Sequence, residues 1–445
     1  DFDKEFPDVK TIMMMKNYRS TPQILSAANS LIDSNKIRMK KDLLPTLPDG
    51  DTVMYHHAKT AEAEARWIAF KIKELTDRGI RLCDITILYR AHFVSRTLEE
   101  VFLKEELPYT IFSGVQFYGR MEIKDALSYL RLIAFRDDLS FMRVANSPKR
   151  NLGERRMRFL QEYSSKNGCS LYTALERTVE DDIFKNTKAK MLLDLVERFT
   201  AFHQEMPISE LFSKLLDESG YEVMLRTEGG QERLDNLAEL KQSVYDYETM
   251  CGEETNLASY LAHVALMTNS DSESGRNTVK MMTIHTAKGL EFPYVFLCGL
   301  SEGIFPSKKT STQEGMEEER RLCFVAFTRA EKGLYLTDAE GRNHDGSYRY
   351  PSRFIFNVDR PLLQYTAELE PRLISESRLT VETNEKMLEL HSQGPAFGPG
   401  DRIVHSIMGA GEILDIDRDS SAYLVKFDAL PTARKISMKA KLERD

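Results

Sequence analysis

Glu317–Lys332, EEERRLCFVAFTRAEK, reads as a helix that runs into an ordinary sheet strand, LYLTD, at Leu334–Asp338. Its opening acids suit a helix N-terminus, where the positive end of the macrodipole lies. Leu322, Val325 and Arg329 fall at i, i+3 and i+7, on one face of a 3.6-residue repeat. An arginine on an apolar face has to pair its charge or aim it at something. From these residues alone two readings stand level. One is a structural ion pair with a nearby acid; the other is a guanidinium whose planar fork is presented across a cleft to a phosphate.

Outward from this helix, Thr283–Pro293 reads TIHTAKGLEFP, with an apolar strand run on either side of it within Val279–Gly299. Near the start, Asn17–Pro22 reads NYRSTP after the apolar Ile12–Met15. Thr11–Met15 predicts a short buried strand, and Pro22–Ile32 a helix with proline early in its first turn. Lys36–Lys41 (KIRMKK) reads as a solvated basic face. Thr52–His57 and Asp84–Arg90 (DITILYR) predict strands. The helical Ala61–Leu75 lies between them, with Ala65, Ile68, Ile72 and Leu75 on one stripe. A helix between strands means a parallel sheet with crossover helices. Val94–Lys104 is a further helix. Residues 11 to about 120, with 277–360, then form one doubly wound α/β domain interrupted by an insertion.

From about 122 to 276 the pattern is helical, with runs at Ile123–Phe135, Arg156–Ser165, Lys188–Gln204, Ile208–Asp217 and Leu234–Glu248 and no strand between them. Glu248–Glu254 and Thr268–Arg276 read as polar linkers, the second as a hinge back to the α/β domain. Residues 361–396 are polar and mixed and read as a flexible linker. Phe397–Asp445 changes character: Arg402–His405, Glu412–Ile416 and Tyr423–Phe427 are short strands separated by glycine turns, which predicts a small β-barrel. Tyr423 is expected in its core.

The chain has 445 residues, 42% of them hydrophobic and 29% charged, enough for several domains with sizeable cores. The net charge of −8 means that any binding of phosphates must come from local patches. The five cysteines form no CxxC pair, which argues against a zinc site or a disulfide framework and fits a reducing cytosol. No apolar run approaches a membrane span, so no membrane partner is expected. None of the 23 glycines is followed by lysine, so the GxxxxGK[ST] phosphate loop is absent. The chain begins DFDKEFPD, which suggests a fragment.

NYRS, HTAKGLEFP and AFTRAE, in this order and at this separation, resemble motifs IV, V and VI of superfamily 1 DNA helicases of the UvrD/Rep/PcrA type. The resemblance extends over nearly the whole chain. It implies a RecA-like second motor domain (1–121 and 277–360), an inserted all-helical domain (122–276), a linker (361–396) and an SH3/Tudor-like barrel (397–445). The first motor domain, with the phosphate loop and the acids that hold Mg2+, would lie outside this chain, which alone would not hydrolyse ATP. By the same resemblance Tyr18 stacks on adenine, Arg19 and Arg329 reach the γ-phosphate as catalytic arginines, and Glu291 binds the ribose. His285, Thr286 and Lys288 touch DNA or transmit its state. Phe117, Tyr118 and Arg120, in FSGVQFYGRMEIKD (Phe112–Asp125), could stack bases and hold phosphates of a single strand; the alternative, a glycine turn with core aromatics, stands level with this.

Lys149, Arg150 and Gly153, in SPKRNLGERRMR (Ser147–Arg158), would offer charge and backbone N–H groups to a duplex. The family has Gly-Ile-Gly in this turn; here it is Asn151-Leu152-Gly153, and asparagine takes a left-handed φ less freely than glycine. The implied activity is one half of an ATP-dependent 3′→5′ helicase and translocase of DNA repair or replication, in the cytoplasm. Its implied partners are single-stranded and duplex DNA, the other motor domain and, through the barrel, RNA polymerase. The competing reading is a non-catalytic module that binds DNA and RNA polymerase. A helicase–nuclease subunit fits less well, because no nuclease-like segment follows AFTRAE.

Overall fold

A computed structural model describes residues 14–36, 42–112, 115–203, 206–251, 256–268, 277–342, 348–392, 397–405, 408–417, 422–430, 432–437 and 442–444. Thr11–Met13 of the first expected strand, residues 37–41 of the basic cluster, residues 252–254 of the first polar linker and 269–276 of the second lie outside them; residues 248–251, expected in the first linker, end a helix instead. The chain divides into two compact units: residues up to 307 with 320–370, and residues 308–319 with 371 onward.

The first unit is built on a seven-stranded sheet. Its strands are β3 (Val53–Ala58), β4 (Ile85–Tyr89), β5 (Tyr109–Ile111), β6 (Val279–Thr283), β7 (Phe292–Leu297), β8 (Ala330–Ala339) and β9 (Leu363–Tyr365). They lie in the order β5-β6-β4-β7-β8-β3-β9, and every pair is parallel. All five residues of β4 are buried, as a strand covered on both faces requires. A separate pair, β1 (Lys16–Asn17) and β2 (Leu44–Pro45), is also parallel. Helix α1 (Pro22–Asp33) has proline in its first turn and buries Ile24, Leu25, Ala28 and Leu31. Helix α2 (Ala61–Asp77) is capped by the Thr60 side chain and buries the stripe its periodicity announces, Ala65, Ile68, Ile72 and Leu75. Helix α3 (Ser95–Lys104) leads to β5.

Nine helices follow between β5 and β6 among the described residues: α4 (Met121–Phe135), α5 (Asp138–Val144), α6 (Glu154–Asn167), α7 (Leu171–Thr178), α8 (Ala189–Phe202), α9 (Ile208–Glu218), α10 (Tyr221–Thr227), α11 (Gln231–Cys251) and α12 (Leu257–Thr268). They share one apolar core that includes Leu130, Phe141, Leu192, Phe212 and Leu240. Helix α13 (Gln313–Phe327) precedes β8, and the short α14 (Arg353–Asn357) precedes β9. In α13 the buried face carries Cys323, Ala326 and Phe327, while Leu322 and Val325 are half-buried. The helix ends at Phe327. Arg329 therefore stands in the turn that leads to β8, not on the helix face its spacing suggested.

The second unit holds α15 (Pro371–Ser392) and five short strands. The stretch expected as a flexible linker thus carries β9 and a helix of 22 residues. Good helix formers and an Arg372–Glu376 pair at i, i+4 support that helix without a strong apolar stripe. Strands β10 (Arg402–His405), β11 (Gly409–Asp417), β12 (Ala422–Phe427), β13 (Arg434–Ser437) and β14 (Leu442–Arg444) are antiparallel, in the order β13-β12-β11-β10-β14. They enclose Ile403, Ile413, Tyr423, Val425, Phe427 and Ile436. Tyr423 is a core residue, as its place in an alternating strand implies. Among the described residues no helix is long and apolar enough to cross a membrane.

Candidate nucleotide-binding site

The chain turns sharply between β1 and α1. The Asn17 side-chain oxygen accepts the backbone N–H groups of Arg19 and Ser20, both at 2.9 Å. Beyond the turn, Ser20 Oγ donates to the Ala330 carbonyl (2.7 Å) and Thr21 N–H to the Glu331 carbonyl (3.1 Å). The NYRS turn is thereby fastened to the turn between α13 and β8, some 310 residues later in the chain. Tyr18 is left standing in solvent at 72% exposure.

Two guanidinium groups meet here. Arg19 Nε donates to Glu291 Oε2, and its Nη1 to the Thr328 carbonyl at 3.3 Å. Arg329 is half-buried, and its donors go to the carbonyls of Val325 (Nε, 3.0 Å) and Leu290 (Nη1, 2.9 Å) and to Thr328 Oγ1 (Nη2, 3.3 Å). Carbonyls and a hydroxyl, not a carboxylate, hold it. Burial holds its pKa below the ordinary arginine value, the charge of Arg19 pushes the same way, and Glu291 opposes them. A half-buried cation placed next to another cation gains from an anion brought between them.

Tyr18, Arg19 and Glu291 open onto a cleft of about 850 Å3 that Thr21, Asp49 and Lys332 also line, among others; Arg329 is not one of its lining residues but lies within the field of Arg19 and Glu291. An exposed aromatic face, a forked cation and a carboxylate on this cleft, with a second forked cation next to them, fit the base, phosphates and ribose of a nucleotide. Phe292 pairs with Ala330 and Tyr294 with Ile85, so Glu291 and Arg329 lie at the N-terminal ends of β7 and β8. His285, Thr286 and Lys288 lie in the loop that leaves the opposite end of the sheet, after Thr283 of β6. His285 and Lys288 are exposed and Thr286 is half-buried.

The sequence reading missed one wall of the cleft. Leu47, Pro48, Asp49 and Gly50 line it, held by Gln23, whose amide accepts from Gly50 N–H (2.8 Å) and donates to Asp49 (3.1 Å). A side chain on residue 50 would collide with Thr21. The signal was present: Pro48-Asp49-Gly50 is turn chemistry, between a helix and a strand that were both recognised.

Other assignments do not survive as surface contacts. Phe117 is 0% and Tyr118 6% exposed, and both belong to the core of the helical insertion. Arg120 is buried, with Nη1 on Asn236 Oδ1 (2.9 Å), Nη2 on the His92 carbonyl (3.1 Å) and its guanidinium over the Phe117 ring. These are the core aromatics of the competing reading, and they cannot stack on a strand where they lie. Arg150 is also buried, bonded to the Tyr129 hydroxyl and the Val144 carbonyl, both at 2.8 Å. Lys149 and Gly153 are exposed. Asn151 takes φ +60°, the left-handed value, while Gly153 has φ −74°. The position that lacks the family's first glycine is the one that needs left-handed backbone, and asparagine supplies it.

The sequence profile described as the UvrD-like helicase C-terminal domain matches residues 12–341. The ATP-dependent DNA helicase PcrA of Staphylococcus epidermidis (strain ATCC 12228 / FDA PCI 1200) is 35% identical over 438 residues, covering 95% of this chain and 60% of that protein. The protein of the same name from Staphylococcus aureus (strain MRSA252) is 34% identical over 440 residues, with the same shares. This chain therefore spans about 60% of the length of these relatives. A solved structure, the C-terminal domain of a possible DNA helicase from Lactobacillus plantarum WCFS1, covers 79% of this chain at 10% identity and a TM-score of 0.33, too loose to add to the argument. With its motifs gathered as described and the family profile running through both parts of the parallel sheet, the chain belongs to the UvrD-like helicase C-terminal domain family.

Proposed function

We propose that this chain is the C-terminal part of an ATP-dependent 3′→5′ DNA helicase and translocase acting in the cytoplasm, in DNA repair or replication. In this reading it carries the second motor domain, the inserted helical domain and a C-terminal partner-binding barrel, for which RNA polymerase is the partner to test. The observation that carries the reading is the meeting of Arg19 and Arg329 beside Glu291, from opposite ends of the motor domain's sequence, next to a cleft that Tyr18, Arg19 and Glu291 line. Two arginines that repel each other beside a cleft are suited to phosphate oxygens, which their forks match.

The substrate ATP would be held, with Mg2+, by a motor domain outside this chain. Tyr18 would stack on the base and Glu291 accept the ribose hydroxyls. Arg19 and Arg329 would stabilise the charge that builds on the transferred phosphoryl group, and arginines in that role contribute roughly 10³–10⁵ in rate. His285, Thr286 and Lys288 would meet single-stranded DNA at the other end of the sheet, and Lys149 with the Gly153 turn the duplex. By itself the chain would not hydrolyse ATP.

The test uses the full-length gene product and its DNA-stimulated ATP turnover. Arg329→Ala is expected to lower turnover by roughly 10³ or more, with single-stranded DNA binding retained. Turnover equal to that of the unmodified protein would remove Arg329 from the mechanism.

A further inference from the structure

We infer that Asn17 is the positioning residue that holds Arg19 in register with Arg329. The inference rests on the reading that Arg19 meets phosphate.

Asn17 ends β1 and is fixed on both sides. Its backbone carbonyl accepts the Thr46 hydroxyl at 2.8 Å, and its side-chain oxygen closes the turn onto the N–H groups of Arg19 and Ser20. A side-chain oxygen that gathers two successive N–H groups dictates the backbone path of the residues donating them. Arg19 then leaves the turn at a set angle, toward Glu291 and the Thr328 carbonyl. From the other side, Ser20 and Thr21 bond the carbonyls of Ala330 and Glu331, the two residues after Arg329. The backbones that carry the two arginines are thus tied through one short hydrogen-bonded frame.

That frame opposes a real force, since two neighbouring cations tend to splay apart. The acceptors that hold the two side chains oppose this only at the guanidinium ends, and the rotatable bonds of arginine leave the backbone to set where each side chain starts. A misplacement of about 1 Å can cost on the order of 10²-fold in rate, so the frame and not the guanidinium sets precision. Tyr18, between Asn17 and Arg19, has no side-chain hydrogen bond among the described residues and remains exposed. The turn therefore fixes the arginine and leaves the aromatic free to follow a base.

The test is a double-variant cycle on DNA-stimulated ATP hydrolysis by the full-length protein. Asn17→Ala is expected to lower kcat by roughly 10- to 100-fold. Asn17→Asp, which keeps the accepting oxygen and loses the amide NH2, is expected to restore kcat to within about 3-fold. In an Arg19→Ala background, Asn17→Ala is expected to cost no more than about 2-fold further, because it acts through the missing side chain. Losses that multiply in the double variant would overturn the inference, as would failure of Asn17→Asp to restore the rate. If Asn17→Ala does not fold, Asn17→Ser, a weaker acceptor, takes its place in the same cycle. Arg19→Ala with unchanged kcat would instead sink the phosphate reading beneath it, so the two failures are told apart by which variant is silent.

Discussion

Glu291 has two claims on it. It accepts from Arg19 in this structure, and under the proposed function it must accept ribose hydroxyls. A hydrogen bond to a charged group contributes about 1.5–3 kcal/mol net, and part of that is given back if Arg19 has to be released. ATP is therefore expected to bind the full-length protein only about 5- to 10-fold more tightly than its 2′,3′-dideoxy analogue, read as the ratio of KM values. In Glu291→Gln that ratio is expected to fall toward one. A ratio unchanged by the substitution would take Glu291 out of ribose recognition. A second carboxylate makes a prediction about stability. Glu64 is buried in the first turn of α2, where it accepts from Gly299 N–H (2.9 Å) and Thr337 Oγ1 (2.6 Å). Burial pushes its pKa up to about 7, against the pull of those two bonds. The unfolded chain binds that proton more weakly, so stability is fullest below the ordinary carboxylate pKa and is lost as pH rises through about 7. At roughly 1.4 kcal/mol per unit, the loss is at most about 3 kcal/mol. Denaturant melts at pH 5 and pH 8 are expected to differ less in Glu64→Gln than in the unmodified chain; equal differences would show that Glu64 does not carry the dependence.

Among the elements, those with strong periodicity were legible. The stripe Ala65–Ile68–Ile72–Leu75 of α2 and the unbroken apolar run of β4 declare helix and buried strand, because burial on one face or two leaves its period in the sequence. Helix α15 was hidden because its stability comes from helix-forming residues and pairs such as Arg372–Glu376, which leave no apolar period. The segment before α4 was ambiguous for another reason. Aromatics beside glycine and arginine have the same composition whether they stack on bases or close a core, and burial alone decides it. Phe117 lies in the core of the insertion, so Phe117→Ala is expected to cost about 3–5 kcal/mol of stability and, at a temperature where the variant stays folded, to leave the affinity for single-stranded DNA within about 2-fold. A large loss of DNA affinity in a fully folded variant would restore the stacking role. The convergence of Arg19, Glu291 and Arg329 was not legible from period or composition at all. Arg19 is 272 residues from Glu291 and 309 from Thr328, the residue before Arg329, and only the motif resemblance put them together.

In the molecule as a whole, the parallel sheet separates two edges, and one loop joins them. Ile284 N–H bonds the carbonyl of Tyr89, the last residue of β4. Eight residues on, Phe292 N–H bonds the Arg329 carbonyl, and Arg329 Nη1 bonds the Leu290 carbonyl. His285 and Lys288 are thus connected through a short stretch of backbone to the Leu290 carbonyl, which holds Arg329. A strand pulling on the first end would move Leu290 at the second, and Arg329 with it. Gly289 is where this loop is most sensitive. It has φ +91°, and among the described residues no atom beyond its chain neighbours lies within 4 Å of where a Cβ would stand. Gly289→Ala therefore meets no collision but loses the left-handed backbone, at a cost of about 1–2 kcal/mol, and the loop would relax toward another path. In the full-length protein this variant is expected to keep DNA affinity and DNA-independent ATP turnover within about 2-fold, and to lose stimulation of turnover by single-stranded DNA by about 10-fold or more. Retained stimulation would mean that the two edges communicate by a route other than residues 284–291, most simply by movement of the whole domain.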